Sequence, residues 1–124
     1  MKKKLVVLVF IFMFVMVGCS SSEGESMKSG KITCDQMKEI MSENSNAILV
    51  DVRYDNEYKE GHLDKAINID YNYINRVGNI EGVDLNTPII VYCKSGKRSE
   101  AAYNTLVSLG YNHVYDLGAM SNCK

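Results

Sequence analysis

Cys93 stands between a short apolar run and a loop rich in basic residues. Residues 89–92 are apolar and β-branched or aromatic, which predicts a buried strand, and residues 99–109 carry apolar side chains at helical spacing. The connecting loop consists of Lys94, Ser95, Gly96, Lys97 and Arg98. Backbone N–H groups of such a loop form an anion-binding nest beside the positive end of the helix dipole. We therefore expect Cys93 to be a nucleophilic thiolate with a site for an anionic substrate.

The length of this loop separates two kinds of enzyme. Four residues lie between Cys93 and Arg98, whereas phosphatases and arsenate reductases with a C-x5-R loop have five. The shorter loop makes a smaller nest, which suits a sulfur atom better than a tetrahedral oxyanion. A nucleotide-binding P-loop is excluded as well, because Val91 occupies the position where that motif needs glycine.

Three charged residues upstream are the next candidates. Asp51 and Arg53 end a continuous apolar run, and Glu57 follows at the start of a short predicted helix. The carboxylates are expected to hold Arg98 or Arg53 in place. The alternative is ordinary polarity at a strand end and a helix cap.

The elements that must position these residues alternate along the chain. Thr33 and Gln36 form a capping-box pattern that predicts a helix over 34–43. Apolar runs predict strands, and helical spacing predicts further helices. The predicted strands cover 47–52, 66–69, 89–92 and 113–117, and the further helices cover 55–58, 71–77 and 99–109. This alternation predicts an α/β fold in which a small, mostly parallel sheet has helices on both faces.

The N-terminus has the pattern of an export signal. Three lysines follow Met1, and the apolar residues 5–17 are too few to span a bilayer, which needs roughly 20. The pattern predicts a signal peptide over 1–18; the alternative is a short membrane anchor. Gly18 and Cys19 resemble the lipobox of bacterial lipoproteins, which predicts lipidation of Cys19, with a non-lipidated secreted form as the alternative. Residues 19–30 then form a flexible tether, and residues 31–124 form the domain.

Charge and composition exclude several function classes. Without residues 1–18 the chain keeps 11 of its 14 basic residues against 15 acidic ones, a formal charge of −4. A mildly acidic domain without a basic patch argues against a nucleic-acid partner. We expect membrane contact through the N-terminal lipid alone. No C-x-x-C pair occurs, and His62 and His113 stand alone, so neither a metal site nor a cofactor is predicted.

Two motifs together resemble a known family. The stretch Cys93 to Ser99 is similar to the C-x-x-G-x-R-S loop of single-domain rhodaneses. Asp51-Val52-Arg53, Glu57-Tyr58 and Gly61-His62-Leu63 resemble that family's upstream D-V-R…E-[FY]-x-x-G-H-[IL] signature. The likeness spans about 32–120, and the export signal adds a resemblance to periplasmic phage-shock-type rhodaneses. Two departures stand out: Asp64-Lys65 replaces the usual Pro-Gly, and the usual short C-terminal helix with its Trp is absent.

The resemblance implies a rhodanese-like fold and a sulfurtransferase mechanism. Cys93 would take the outer sulfur of thiosulfate or a similar donor, hold it as a persulfide, and pass it to a thiol or cyanide. Loop N–H groups around Ser95 and Gly96 would hold the persulfide, and Lys94, Lys97 and Arg98 would bind the donor. The alternative for these three cations is solvation on an exposed loop. In this family His62 is structural, and we expect a monomer that lies outside the cytoplasmic membrane, anchored by lipid, or in the periplasm.

The other cysteines leave alternatives open. In the family fold the first and last strands are neighbours, which implies that Cys34 and Cys123 lie close enough for a disulfide. Equally, Cys34 is a small residue at a helix start and Cys123 a terminal thiol. Two further functions compete with sulfur transfer: a non-catalytic rhodanese-like binding module, which retention of Cys93 argues against, and thiol–disulfide exchange in the envelope, which needs a second cysteine near Cys93.

Overall fold

The structure, a computed structural model, describes residues 29–124. Strands and helices alternate along this part of the chain. The strands are β1 (Gly30–Lys31), β2 (Ile48–Asp51), β3 (Ala66–Asn68), β4 (Ile89–Cys93) and β5 (Val114–Ala119). The helices are α1 (Cys34–Glu43), α2 (Asp55–Glu60), α3 (Tyr71–Val77) and α4 (Lys97–Ser108), and a 3₁₀ helix, Met120–Cys123, follows β5. The predicted signal peptide, Cys19 and most of the predicted tether lie outside the described residues.

The strands form one parallel sheet in the order β1-β5-β4-β2-β3. Strand β4 lies at the centre, and all five of its residues are buried. The two edge strands are short, with two residues in β1 and three in β3. Because all strands are parallel, their carboxyl ends meet at one edge of the sheet, where ligands bind in open α/β folds. Cys93 ends the central strand at that edge.

Each face of the sheet is covered by helices. Ile74 of α3 and Leu106 of α4 pack against Val91 on one face, in the cluster that also contains Cys93. On the other face Met37 of α1 packs with Leu49 and other buried residues. The prediction of an α/β fold with a parallel sheet covered on both faces is therefore confirmed.

Strand β5 contains one residue more than β4 beside it. Asp116 lies opposite Val91, but Gly118 lies opposite Tyr92, so Leu117 is the extra residue of a β-bulge. Gly118 has a φ of 84°, a conformation that favours glycine, and its N–H donates to Asp116 Oδ1 at 2.9 Å. The bulge places Ala119 directly beside Cys93.

Several boundaries differ from the predictions. The sheet begins at Gly30, and the hydroxyl oxygen of Ser29 accepts the Val114 N–H at 3.0 Å, so both residues belong to the domain and not to the tether. Helix α4 begins at Lys97, two residues before the predicted start at residue 99, because Gly96, in the left-handed conformation, is its N-cap. The last residues, expected to lack a helix, form the 3₁₀ helix Met120–Cys123. The capping box of Thr33 and Gln36 is confirmed.

Among the helices that the structure describes, none has the length and apolar character needed to cross a membrane.

Candidate active site

The sulfur of Cys93 lies in a cradle of backbone donors. Cys93 is fully buried at the end of β4. Its Sγ accepts the Gly96 N–H with an N···S distance of 3.0 Å and the Ser99 N–H with an N···S distance of 3.3 Å. Both donors belong to the turn that starts α4, where the helix dipole is positive. Negative charge on sulfur at this position is therefore stabilised by two aligned N–H groups and the end of a helix.

The turn that forms the cradle depends on glycine. Gly96 has a φ of 104°, in the left-handed region. A β-carbon there would come within 3.8 Å of the Gly118 Cα, which is an ordinary contact. The backbone angle, not lack of space, therefore makes glycine the suitable residue. The hydroxyl of Ser99 donates to the Gly96 carbonyl at 3.1 Å and ties the turn to the first turn of the helix.

The basic residues of the loop have two different surroundings. Lys94 and Lys97 are exposed, and neither takes part in an ion pair within residues 29–124. Arg98 is engaged on both sides: its guanidinium donates to both carboxylate oxygens of Glu57 at 2.7 and 3.1 Å, and its Cζ lies 5.0 Å from the centre of the Tyr54 ring. The hydrogen bond from Arg98 is the main reason why the pKa of Glu57 falls to about 2.

Asp51 and Arg53 form a second, buried ion pair behind the cradle. Arg53 Nη2 lies 2.7 Å from Asp51 Oδ2, and the two side chains are 7% and 0% exposed. The same Nη2 donates to the Gly61 carbonyl at 2.6 Å. Hydrogen bonding to Asp51 raises the pKa of Arg53. The sequence left open which carboxylate holds which arginine; the structure pairs Asp51 with Arg53 and Glu57 with Arg98.

Tyr92 connects this ion pair to the strand that ends in Cys93. Its hydroxyl donates to Asp51 Oδ2 at 2.9 Å and accepts the Leu63 N–H at 3.0 Å. Burial raises the pKa of the Tyr92 phenol. The residue next to the nucleophile is thus fixed to the Asp51–Arg53 pair and to the turn at Gly61 and Leu63.

Five of the last seven residues, which we call the C-terminal segment (118–124), line two clefts near the site. One cleft, of about 450 Å³, lies between Ser95, Gly96 and Lys97 and the side of the segment that carries Asn122. A second cleft, of about 370 Å³, is lined by Arg53 and Glu57 and, from the segment, by Met120 and Lys124. The sequence analysis did not place this segment or Ser99 among the residues around Cys93. Ser99 stands in the quoted loop motif, whereas the segment reaches the site only through the pairing of β5 with β4.

His62 is occupied by local contacts. Its ring stacks on Tyr58 with the centroids 3.8 Å apart, and Nδ1 lies 2.8 Å from the Tyr58 carbonyl oxygen. These contacts agree with a structural role and with its exclusion from the catalytic residues. Within residues 29–124, no three His, Cys, Asp or Glu side chains converge as metal ligands.

The other two cysteines within residues 29–124 form a pair. Cys34, the first residue of α1, and Cys123, the last residue of the 3₁₀ helix, are joined as a disulfide with their Cα atoms 5.2 Å apart. Cys93 is a free thiol. The bond ties the C-terminal segment to the start of α1.

A family model and a solved structure each match most of this chain. The family model described as a rhodanese-like domain matches residues 33–121. A crystal structure of a rhodanese-like domain protein from Staphylococcus aureus superimposes with a TM-score of 0.63 at 28% identity, covering 79% of this chain and 92% of the other. This likeness supports the fold.

Curated relatives carry two different names. The thiosulfate sulfurtransferase GlpE of Pseudomonas fluorescens is 38% identical over 71 residues, covering 57% of this chain and 63% of the relative. The thiosulfate sulfurtransferase PspE of Escherichia coli is 32% identical over 73 residues, covering 59% and 70%. A tRNA uridine(34) hydroxylase of Buchnera aphidicola is 40% identical over 82 residues, covering 62% of this chain but only 26% of the relative. The chain thus spans about a quarter of the hydroxylase and less than two thirds of GlpE.

Proposed function

The chain belongs to the rhodanese-like family, and we propose that it is a sulfurtransferase that carries sulfur as a persulfide on Cys93. The observation that carries this proposal is the pair of N–H groups, from Gly96 and Ser99, that point at the Cys93 sulfur. A thiolate that awaits a donor and the persulfide that replaces it both hold negative charge near this position. Preorganised donors stabilise that charge without rearrangement during the reaction.

The reaction proceeds in two displacements. The Cys93 thiolate attacks the outer sulfur of thiosulfate, a new S–S bond forms, and the original S–S bond breaks so that its electron pair leaves with sulfite. An acceptor thiolate or cyanide then attacks the outer sulfur of the persulfide, and Cys93 leaves as the thiolate that began the cycle. No external oxidant or reductant is needed for the transfer itself.

The cations of the loop divide into two roles in this proposal. Lys94 and Lys97 are exposed and free of ion pairs within the described chain, so they attract the doubly charged donor. Arg98 is neutralised by Glu57, so its contribution is to fix the first turn of α4 rather than to bind the donor. The inner pair of Asp51 and Arg53 supports the strand end through Tyr92.

The relatives support sulfur transfer more than tRNA hydroxylation. Two of them are named thiosulfate sulfurtransferases and match over most of their length. The hydroxylase matches over about a quarter of its length, so most of that protein has no counterpart in the matched region. The short loop between Cys93 and Arg98 is a further argument for sulfur rather than phosphate.

We also propose that the protein is exported and anchored by lipid. The proposal rests on the signal pattern of 1–18 and on Cys19 directly after it. Labelled fatty acid should enter the wild-type protein and not a Cys19→Ala variant, and the anchored protein should be accessible to protease added outside the cytoplasmic membrane. An unlabelled cytoplasmic protein would refute this assignment.

Mass spectrometry tests the persulfide directly. After incubation with thiosulfate, the peptide that contains Cys93 should gain one sulfur atom, and sulfite should appear in equal amount. Cys93→Ser should lower sulfur transfer by more than about a thousand-fold, because the attacking group is removed. The matched control is Cys19→Ser, which should behave as the wild type. Transfer that persists in Cys93→Ser would refute the role of Cys93.

The loop length offers a second test. Hydrolysis of an aryl phosphate should be negligible beside sulfur transfer in the unmodified protein. Insertion of one residue between Cys93 and Arg98 should shift the balance toward phosphate, because the nest becomes larger. Strong phosphatase activity without the insertion would contradict the proposal.

A further inference from the structure

We infer that the Cys34–Cys123 pair, when reduced, is an internal acceptor for the sulfur on Cys93, so that the protein itself converts that sulfur to sulfide. This inference rests on the proposed function, since it requires a persulfide on Cys93. It assigns a reaction to two cysteines that the transfer to an external acceptor does not use.

The register of the sheet brings the C-terminal segment next to the nucleophile. Ala119 pairs with Cys93 across neighbouring strands, which lie about 4.8 Å apart. Cys123 follows Ala119 by four residues, and four residues span at most about 14 Å. A Cys123 released from Cys34 is therefore within chain reach of the Cys93 sulfur.

The segment also lies where a persulfide would become accessible. Asn122 borders the cleft beside Gly96, and Met120 borders the cleft beside Arg53. Cys123 itself packs beside Cys34 on the face of the sheet that α1 covers, so its released thiol must turn around the end of β5 to reach these clefts. No separate partner has to enter the cradle.

Reduction removes the covalent bond between the segment and α1. Within the described residues, the hydrogen bonds of its 3₁₀ helix are local: Asn122 Nδ2 donates to the Leu117 carbonyl at 2.8 Å, and the Lys124 N–H donates to the Ser121 carbonyl at 3.2 Å. Met120 and Cys123 are only half-buried. The 3₁₀ helix of the segment, held by local hydrogen bonds and by half-buried side chains, opens at a lower free-energy cost than the core, so reduction frees Cys123 to move.

The chemistry balances in two steps. The Cys123 thiolate attacks the outer sulfur of the Cys93 persulfide, which forms a Cys123 persulfide and releases the Cys93 thiolate. The Cys34 thiolate then attacks the inner sulfur of Cys123, the disulfide forms, and the outer sulfur leaves as hydrosulfide. The dithiol supplies the two electrons that reduce the sulfur. An external dithiol reductant restores the pair for the next cycle.

The two cysteines have unequal roles in this scheme. Cys34 is the first residue of α1, a ten-residue helix fixed by the capping box at Thr33, so it stays in place. Cys123 lies on the segment that reduction frees. Cys123 is thus the residue that collects the sulfur, and Cys34 is the residue that releases it.

A single-turnover experiment tests the inference. The protein with Cys19→Ser, so that no other thiol competes, is reduced, freed of reductant without oxygen, and mixed with one equivalent of thiosulfate. We expect one sulfite and one sulfide per chain, together with a Cys34–Cys123 disulfide seen by mass spectrometry. The rate of sulfide release should not depend on protein concentration, because the transfer is within one chain.

The variants separate this inference from the proposed function. Cys34→Ser and Cys123→Ser should each still release one sulfite, which also shows that they are folded, but their sulfide release should fall at least ten-fold. Oxidised wild-type protein should behave in the same way. The inference is overturned if reduced protein retains its sulfur as long as a C34S/C123S variant does, or if sulfide release rises with protein concentration. Absence of sulfite from every form would instead overturn the proposed function.

Discussion

The loop around Cys93 and the C-terminal segment border the same sulfur, but they are held by different kinds of interaction. The loop continues a fully buried central strand, and Tyr92 fixes that strand to the Asp51–Arg53 pair. The segment begins with two residues of β5 that pair with β4, continues as a 3₁₀ helix with local hydrogen bonds, and is tied to α1 by one disulfide. The part that must keep its geometry in every turnover is built into the core. The segment beside it is joined to α1 by a bond that thiol chemistry can break.

The largest loss of stability is expected when Asp51, which supports the strand before the Cys93 loop, is removed. Asp51→Ala leaves the Arg53 guanidinium buried without its partner, and we expect a loss of about 3–5 kcal/mol in the free energy of unfolding. Urea unfolding measures this loss. Tyr92→Phe, which removes one hydroxyl and keeps the ion pair, should cost less, about 1–3 kcal/mol. An Asp51→Ala protein as stable as the wild type would show that the pair does not support the strand.

Reduction of the Cys34–Cys123 disulfide tests how the C-terminal segment is held. The bond joins residues 89 positions apart, for which chain entropy gives about 4 kcal/mol of stabilisation before any strain. Reduction should therefore lower the urea midpoint of the wild type, yet leave the release of sulfite from thiosulfate nearly unchanged. The C34S/C123S variant should not respond to reductant. Counting thiols in denatured, non-reduced Cys19→Ser protein checks the pairing itself: one free thiol supports it, and three contradict it.

Gly96→Ala sharpens the contrast because it perturbs the cradle without touching the core. A non-glycine residue in the left-handed conformation costs roughly 1–2 kcal/mol. We expect a small loss of stability but a much larger loss of sulfite release, since the Gly96 N–H would no longer be aligned with the Cys93 sulfur. If stability and sulfite release fell in proportion, Gly96 would have a structural role only.

The smallest effect is expected for the outer ion pair, and it depends on pH. The folded-state pKa of Glu57 is about 2, below its ordinary 4.5, so the stabilisation from Arg98 is fully present above pH 4.5 and is lost as the pH falls toward 2. With both side chains about one fifth exposed, the stabilisation should be about 1 kcal/mol. The stability difference between wild type and Glu57→Gln should shrink over that interval. A difference that stays constant with pH would argue against the ion pair.

Sequence patterns within a few residues were enough to predict the loop around Cys93. The other contacts of the site depend on pairing between residues that are distant in the sequence. The apolar run before Cys93, the glycine at Gly96 and the capping box at Thr33 all act within a few residues, so the sequence was enough to predict the strand, the turn and α1. Glu57 and Arg98 are 41 residues apart, and the sequence could not decide which arginine each carboxylate would bind. The position of the C-terminal segment beside Cys93 was not predicted, because it depends on the extra residue in β5 and on the pairing of β5 with β4.

The pairing of β1 with β5 has a consequence for the order of events during biosynthesis. Gly30 pairs with Tyr115, so the first strand has no neighbour until residue 115 has been synthesised and has left the ribosome. At about 5–20 residues per second, the edge of the sheet waits several seconds for its partner. Strand pairs that are distant in sequence also form slowly. A nascent chain with this topology cannot complete its sheet until β5 has emerged, and if the chain is exported as we propose, this delay leaves time for targeting factors to bind it.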